Sequence, residues 1–383
     1  MNHKKTILIL CDWFLPGYLA GGPIQSIATV THHLKDEFHF KIITTDRDFK
    51  SPIPYSNVAL NTWTNYLERE VFYVSPENLN EAFLLALIQN TPHDVLYLNS
   101  LFSKPFAIHP LRWKQKGLIT SQVVLAPRGM FGQKALAFKP IKKKLFLLYA
   151  KCVSLFKNIT WHSTSAQETK DVKKHIGSEI KLTEINNLPH ITCNTTQITK
   201  QTNALRLCFI ARIQAIKNLD VAIKALIPIT QGNVIFDIYG PKEDENYWNA
   251  CESLAKQLPQ NISFNYKGIL QPHDISKIIS TYHALLLPTQ TENFGHVIVE
   301  TLLQARPVII SNNTPWQQLA QRQAGFDIDL SEPKKITDAI NHLLTINDSD
   351  YQMMSKASLN FINAQLCIDE TKQKYVELFN SIT

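Results

Sequence analysis

Long apolar runs, clustered cysteines and metal-binding spacings are all missing from this sequence of 383 residues. No stretch reaches the roughly 18 uncharged apolar residues that a membrane-spanning helix needs. The six cysteines show no short repeated spacing, which argues against a zinc ribbon or a disulfide framework and favours a reducing compartment. With 44% hydrophobic and 19% charged residues, the chain is predicted to be globular.

The charge is only mildly unbalanced. The chain has 39 Lys and Arg against 32 Asp and Glu, a net charge of +7, which favours anionic partners but is far from a histone-like surplus. The positive surplus could also be a solubility feature. No nucleic-acid partner is predicted. The apolar run that ends at Cys11 is short and lacks a cleavage site, so it is interpreted as a first buried strand rather than a signal peptide. We expect a cytoplasmic protein.

Short apolar runs alternate with amphipathic segments in both halves of the chain, which is typical of βαβ units. The length suits two domains. The predicted fold class is therefore α/β, with two Rossmann-like parallel-sheet domains. Their predicted bounds are 1–190 for the first domain, 191–204 for a polar linker, 205–360 for the second domain, and 361–383 for a C-terminal helix that packs back towards the first.

The pattern of residues 285–311 predicts a strand, a polar loop, a helix and a second strand. Ligands of parallel sheets bind where strands end, so the loop with Glu292 is expected to line a site. Asn293 is predicted to cap the helix, with the amides of Phe294 and Gly295 directed outward as donors. Glu300 follows in the helix, and both carboxylates can face one cleft.

A second strand-to-helix loop carries two cations. Arg212 leaves the strand 206–211, Lys217 follows five residues later, and Asn218 can cap the next helix. Two cations beside a helix N-terminus are suited to a diphosphate, because fixed charge and amide dipoles add there. Two solvated loop cations are the alternative.

The helix-start segment and the cationic loop both resemble motifs of a known enzyme family. Glu292-Asn-Phe-Gly-His-Val-Ile-Val-Glu300, followed by Ala305-Arg-Pro-Val, resembles the signature of retaining nucleotide-sugar glycosyltransferases of family four. The resemblance implies the GT-B fold, with its two domains facing a cleft. It also implies a nucleotide-sugar donor, UDP- or GDP-linked, bound by the second domain, and an acceptor bound by the first. The alternative is a carboxylate at a helix start together with an exposed Glu on an ordinary surface helix.

By this resemblance, Glu292 and the amides around Asn293, Phe294 and Gly295 would hold donor-sugar hydroxyls, and Glu300 the ribose hydroxyls. Arg212 and Lys217 would neutralise the leaving diphosphate, and Glu292 is grouped with them as catalytic. Gly268, at a strand end, would border the nucleobase, although turn glycines are commoner than ligand glycines.

Two segments of the first half also match the family. The loop with Gly21 and Gly22 resembles the first glycine loop of the family, so Gly22 is assigned to the donor and Gly21 to the acceptor; a plain turn is the alternative. Many relatives have His-Gly near residue 128, where this chain has Arg128-Gly129, so no catalytic histidine is transferred. Arg128 is assigned to an acceptor charge or a phosphate, against the alternative of a sheet-edge Arg.

No metal site is predicted. Asp46-Arg47-Asp48 is the nearest approach to a carboxylate pair and is interpreted as a polar strand exit. His162 is interpreted as structural, before a helix capped by Ser165 and Glu168. No cofactor is expected beside the nucleotide-sugar co-substrate.

The segment 134–157 combines clustered lysines with Leu, Phe and Tyr. It could lie on anionic lipid at the inner face of the cell membrane, or pack on its own domain with a solvated lysine face.

The predicted function is metal-independent transfer of a sugar, of the hexosyltransferase type, to a saccharide or lipid-linked saccharide, in bacterial surface polysaccharide synthesis such as lipopolysaccharide or capsule. Two alternatives stay open: a GT-B epimerase or phosphorylase, and a non-enzymatic protein that binds anions or membranes.

Overall fold

The computed structural model describes residues 4–137, 139–190 and 195–382, and only the backbone of Lys134. Residues 191–194 of the predicted linker, and Phe138 of the basic segment, lie outside the described residues. The chain divides into two compact units, one formed by Met1–Leu188 with Ile368–Thr383 and the other by Pro189–Cys367.

Each unit is built on one sheet. The strands of the first sheet are β1 (Thr6–Leu10), β2 (His39–Thr45), β3 (Trp63–Tyr66), β4 (Arg69–Val74), β5 (Val95–Leu98), β6 (Gln122–Leu125), β7 (Thr160–Ser163) and β8 (Leu182–Glu184). Those of the second are β9 (Ala204–Ile210), β10 (Asn233–Tyr239), β11 (Ile262–Tyr266), β12 (Ala284–Leu287), β13 (Val308–Ser311) and β14 (Gly325–Ile328).

The α-helices flank these strands in sequence. They are α1 (Gly22–His33), α2 (Glu81–Gln89), α3 (His109–Gln115), α4 (Gln133–Ala137), α5 (Pro140–Cys152), α6 (Ala166–Ile176), α7 (Leu219–Leu226), α8 (Glu245–Ala255), α9 (Pro272–Ile279), α10 (His296–Leu303), α11 (Lys334–Thr345), α12 (Asp348–Leu366) and α13 (Ile368–Asn380).

Both sheets are doubly wound, which confirms the predicted α/β class. The first has the order β3-β4-β2-β1-β5-β6-β7-β8 and the second β11-β10-β9-β12-β13-β14. All pairs are parallel except the hairpin β3–β4 at one edge of the first sheet. The central strands are apolar throughout because helices cover both of their faces.

The central strands were predicted from the sequence, whereas β3, β4, β7, β8 and β14 were not. β3, β7, β8 and β14 lie at or near sheet edges, are short and carry polar residues, so their apolar pattern is weak. β4 has a buried apolar run, Val71–Val74, that the prediction missed.

The last helix belongs to the first unit. Cys367, at a φ of 38°, separates α12 from α13, so the chain returns to the first unit at Ile368 rather than at the predicted residue 361. Phe379 is fully buried, with its ring 5.4 Å from Phe38 and 5.5 Å from Tyr97. The helix thus completes one face of the first core.

We expect Phe379→Ala to destabilise the protein by about 3–5 kcal/mol, because it leaves a cavity in this core. Gln373→Ala, on the exposed face of the same helix, should have almost no effect. Urea unfolding followed by far-UV circular dichroism measures both, and equal midpoints for the two variants would contradict the role of α13 in the core.

Candidate functional site

The loop between β12 and α10 is shaped by a glycine. Gly295 precedes the first residue of α10 at a φ of 75°, a conformation that favours glycine, and a Cβ there would lie 2.9 Å from a methyl carbon of Ile298. The prediction that Asn293 caps this helix is therefore wrong. The backbone turn at Gly295 occupies that position instead.

Phe294 anchors the same loop. Its side chain is buried, its ring lies 5.5 Å from the ring of Trp316, and its carbonyl accepts a 2.6 Å hydrogen bond from Trp316 Nε1. Its predicted contribution to a donor site is limited to its backbone amide, because the carbonyl and the ring already have partners inside the unit.

Two predicted site residues, Lys217 and Glu292, are in direct contact. Lys217 ends a 3-10 turn (Ala215–Lys217) that follows β9, and Glu292 lies in the loop after β12. Lys217 Nζ donates to Glu292 Oε1, and both side chains are 15% exposed. Residues 75 positions apart thus meet at the end of the second sheet, because β9 and β12 are neighbouring parallel strands.

Asn218 joins the same two loops. It occupies the predicted N-cap position of α7, at a φ of 55°, but its side chain makes no cap bond. Its Nδ2 donates to the carbonyl of Pro288 at 2.8 Å, and its Oδ1 accepts from Gln290 Nε2 at 2.9 Å. The buried amide therefore fixes the spacing between the two loops.

Arg212 is paired with a carboxylate that the sequence analysis did not single out. Its Nη1 lies 2.8 Å from Oε2 of Glu243, in the loop after β10. The signal that could have found Glu243 is its position just beyond the end of a strand next to β9 in the sheet.

Glu300 lies in the second turn of α10 and is only 8% exposed. Burial raises the pKa of this carboxyl to about 8. A carboxyl that is costly to ionise and lies beside polar loops is typical of a functional position. The predicted alternative of an exposed Glu on a surface helix is therefore wrong for Glu300.

Gly268 lies beyond β11 at a φ of 85°, with open space where a side chain would be. Its carbonyl accepts from the amide of Gly240, beyond β10, at 2.8 Å. Gly240 itself cannot carry a side chain, since a Cβ would lie 1.8 Å from the carbonyl oxygen of Ala211. The two glycines thus bring three strand ends close together.

In the first unit, Gly21 and Gly22 open α1, with Gly21 at a φ of 67°. The preceding loop is held by the buried carboxylate of Asp48, which accepts from the amides of Tyr18 at 2.7 Å and Leu19 at 2.9 Å. This contact accounts for Asp48, which serves the loop rather than a metal pair.

Arg128 lies beyond β6, an interior strand, so the alternative of a sheet-edge Arg is wrong. Its guanidinium donates to Asn99 Oδ1 at 2.6 and 3.0 Å, to Asn187 Oδ1 at 2.8 Å and to Tyr97 Oη at 3.0 Å. These bonds orient Arg128 within its own unit, and its assignment to the acceptor stays a prediction.

His162 belongs to the same network. Its Nδ1 lies 2.7 Å from Tyr97 Oη and its Nε2 3.0 Å from the carbonyl of Ile185. Burial lowers the pKa of His162 to about 3, so the ring is neutral. Ser165 caps α6 through the amide of Glu168, whose carboxylate accepts from the amide of Thr164.

Within the described ranges, no three His, Cys, Asp or Glu side chains are grouped so that they could hold a metal ion. Asp46 is buried and paired with Arg47, at 2.8 Å.

We expect Glu300→Gln to reduce the pH dependence of unfolding. The folded protein keeps this proton up to about pH 8, whereas the unfolded chain releases it near pH 4.5, so the wild type should lose stability as the pH rises between these values. The side-chain amide of the Glu300→Gln variant does not titrate, so this contribution to the loss of stability should be absent from the variant. Urea midpoints at acidic and alkaline pH, with Glu252→Gln on α8 as the control, measure this; parallel wild-type and Glu300→Gln profiles would contradict the burial effect.

Comparison with known proteins finds a family model that matches most of the second unit. The family model of glycosyl transferases group 1 matches residues 194–360. The D-inositol 3-phosphate glycosyltransferase of Corynebacterium urealyticum is 24% identical over 184 residues, an alignment that spans 45% of this chain and only 42% of that enzyme.

Solved structures extend the likeness to the whole fold. The Anabaena HepE complex with UDP and glucose has a TM-score of 0.71 at 13% identity, covering 99% of this chain and all of that one. WaaG, a glycosyltransferase involved in lipopolysaccharide biosynthesis, has a TM-score of 0.65 at 14% identity, covering 97% of this chain and 99% of that one. Residues 194–360 therefore resemble the glycosyl transferases group 1 family, and the chain has the GT-B fold of these solved structures.

Proposed function

We propose that this protein is a retaining glycosyltransferase that moves a sugar from a nucleotide-sugar donor to a hydroxyl of a saccharide or lipid-linked saccharide. The observation that carries the proposal is the meeting of Lys217 and Glu292, with Arg212 at the end of the same strand, β9, that leads to Lys217. Two cations for the leaving phosphates and one carboxylate for the sugar thereby lie at the ends of neighbouring strands.

In this proposal, the bound donor takes the place of side-chain ion pairs within the second unit. Arg212 and Lys217 neutralise the diphosphate, while Glu292 is released to accept bonds from sugar hydroxyls. The amides of Asn293, Phe294 and Gly295 lie at the turn before α10, where helix-start donors stabilise an anion or a hydroxyl oxygen. Glu300 accepts from the ribose, and Gly268 borders the base.

The reaction breaks the bond between the sugar C1 and the phosphate oxygen, and forms a bond from C1 to the acceptor oxygen. With attack on the face that the diphosphate leaves, the configuration is retained, and a phosphate oxygen takes the acceptor proton. The protein then contributes charge stabilisation at the phosphates and positioning. No metal ion is required, because Arg212 and Lys217 supply positive charge.

The donor is proposed to be UDP- or GDP-linked, and the HepE complexes with UDP support a uridine nucleotide. The acceptor is proposed to be a bacterial surface saccharide such as lipopolysaccharide or capsule, which the likeness to WaaG supports. Gly22 would approach the donor phosphate, with Gly21 and Arg128 on the acceptor side, in a cytoplasmic enzyme.

Three other functions remain distinguishable by experiment. A nucleotide-sugar epimerase would form product without an acceptor, and a phosphorylase would consume free phosphate. A non-enzymatic anion-binding protein would show salt-sensitive binding without nucleotide preference. The buried carboxyl of Glu300 and the Lys217–Glu292 pair favour the transferase over the last of these.

We expect UDP- or GDP-sugars to raise the melting temperature in the presence of EDTA, because a ligand of the folded state stabilises it. Lys217→Ala should abolish the shift and cut turnover severely while leaving the fold intact. Lys224→Ala, an exposed lysine on α7, is the matched control and should behave as wild type. A thermal-shift panel of UDP-, GDP- and ADP-sugars measures this, and near-normal transfer by Lys217→Ala would refute its assigned role.

We also propose that α5 attaches the protein to an anionic membrane. Ile141, Leu145 and Leu148 share one helix face, at positions i, i+4 and i+7, and are 73%, 60% and 61% exposed. Lys142 lies to one side of this stripe, and Lys144 and Lys151 lie to the other, all exposed. An apolar stripe flanked by lysines suits lipid headgroups of negative charge.

Not all of the basic segment is available to lipid. Lys143 donates to the carbonyl of Ala135, and its ammonium lies 4.9 Å from the centre of the Phe102 ring. Among the described residues, no helix has the length and hydropathy to span a bilayer. The proposed contact is therefore with the membrane surface.

We expect the protein to sediment with phosphatidylglycerol vesicles, less at high salt, and not with phosphatidylcholine vesicles. Replacing Ile141, Leu145 and Leu148 together by Ser should abolish sedimentation. The control replaces Ile53, Leu67 and Leu118, which are exposed elsewhere on the same unit, by Ser. Equal binding of vesicles by both triple variants would refute the proposed membrane contact of α5. A wild-type dimer that is lost only in the first triple variant would also refute it, because the stripe would then be a dimer interface.

A further inference from the structure

Arg212, one of the two cations assigned to the donor phosphates, already has an internal anion beside it. Glu243 Oε2 lies 2.8 Å from Arg212 Nη1, and the Glu243 side chain is only 15% exposed. The contact forms between the ends of two neighbouring strands, β9 and β10.

The backbone, rather than chance side-chain contact, places Glu243 there. The amides of Glu243 and Asp244 donate to the carbonyl of Ile213, at 3.2 and 3.3 Å, and the amide of Ile213 donates to the carbonyl of Pro241 at 2.9 Å. Ile213, which follows Arg212, is thus hydrogen-bonded through its backbone to both Pro241 and Glu243. The carboxylate is carried on a loop that is fixed to the loop of its partner.

The charges of the site balance in this state. Arg212 and Lys217 contribute two positive charges, and their partners Glu243 and Glu292 contribute two negative charges. A diphosphate that contacts both cations must therefore compete with both carboxylates. Glu292 gains sugar hydroxyls as new partners in the proposed function, whereas Glu243 belongs to a different loop and keeps its negative charge close to the phosphates.

We propose that Glu243 is a positioning residue that competes with the diphosphate for Arg212, weakens the binding of the nucleoside diphosphate and so favours its release after transfer. The inference rests on the proposed function, since it concerns the same phosphate site. Its chemistry is purely electrostatic: in the empty state Glu243 pairs with Arg212, and in the occupied state the diphosphate does.

The test is a calorimetric titration of the full-length protein with UDP, GDP and ADP. For the nucleotide that binds, Glu243→Gln should lower the Kd about two- to fivefold, because removal of one part-exposed charge interaction near an anion changes binding by about this factor. A gain in affinity is informative, since a merely structural role would predict a loss. Glu252→Gln, on the exposed face of α8, removes the same charge farther along the chain and should leave the Kd unchanged.

A double variant identifies the partner through which Glu243 acts. If Glu243 competes for Arg212, then Arg212→Gln with Glu243→Gln should bind no more tightly than Arg212→Gln alone. In turnover assays, Glu243→Gln should also be inhibited more strongly by added nucleoside diphosphate than the wild type.

The outcomes separate this inference from the proposed function. Nucleotide binding by the wild type with the same or a higher Kd in Glu243→Gln overturns the inference alone. A gain in affinity that persists in the Arg212→Gln background overturns the role of Arg212. No binding of UDP, GDP or ADP by either protein overturns the proposed function together with the inference.

Discussion

Neighbouring parallel strands must end at the same edge of their sheet, and the candidate site depends on that constraint. β9 and β12 are adjacent, so the loops that follow them meet although they are far apart in sequence. Asn218 then fixes their spacing through bonds to Pro288 and Gln290. Lys217 and Glu292 are in contact because of this frame, and a similar argument across β9 and β10 brings Glu243 to Arg212.

Each cation of the candidate site has a carboxylate partner, Glu243 for Arg212 and Glu292 for Lys217. A partly exposed ion pair contributes little to folding, typically below about 1 kcal/mol, so each cation can change partners at small cost. Glu300 differs, because it lies within a helix and is buried, and burial holds its pKa well above the ordinary range. The site therefore combines two exchangeable pairs with one carboxyl that resists ionisation.

The first unit has a different organisation. Its polar groups at the strand ends are largely committed to one another: Arg128 bonds Asn99, Asn187 and Tyr97, and Asp48 supports the loop before Gly21. Phe379 of α13, from the far end of the chain, packs on the ring of Tyr97 beneath this network. On the surface of this unit, α5 carries an exposed apolar stripe flanked by lysines.

The sequence by itself determined the fold class and the second-unit loops, because buried parallel strands are apolar along their length and β9 to β13 alternate cleanly with helices. It also located Arg212, Lys217, Glu292 and Glu300, since strand ends and spacing are visible in a linear pattern. Only the tertiary structure decided which carboxylate faces which cation, because the pairing depends on strand order, which residue spacing does not encode. The same reason explains Glu243 and the internal bonds of Arg128, whereas the turn at Gly295 in place of the predicted Asn293 cap is a local backbone feature. Side-chain partners that come from distant segments are fixed only when the sheet is assembled.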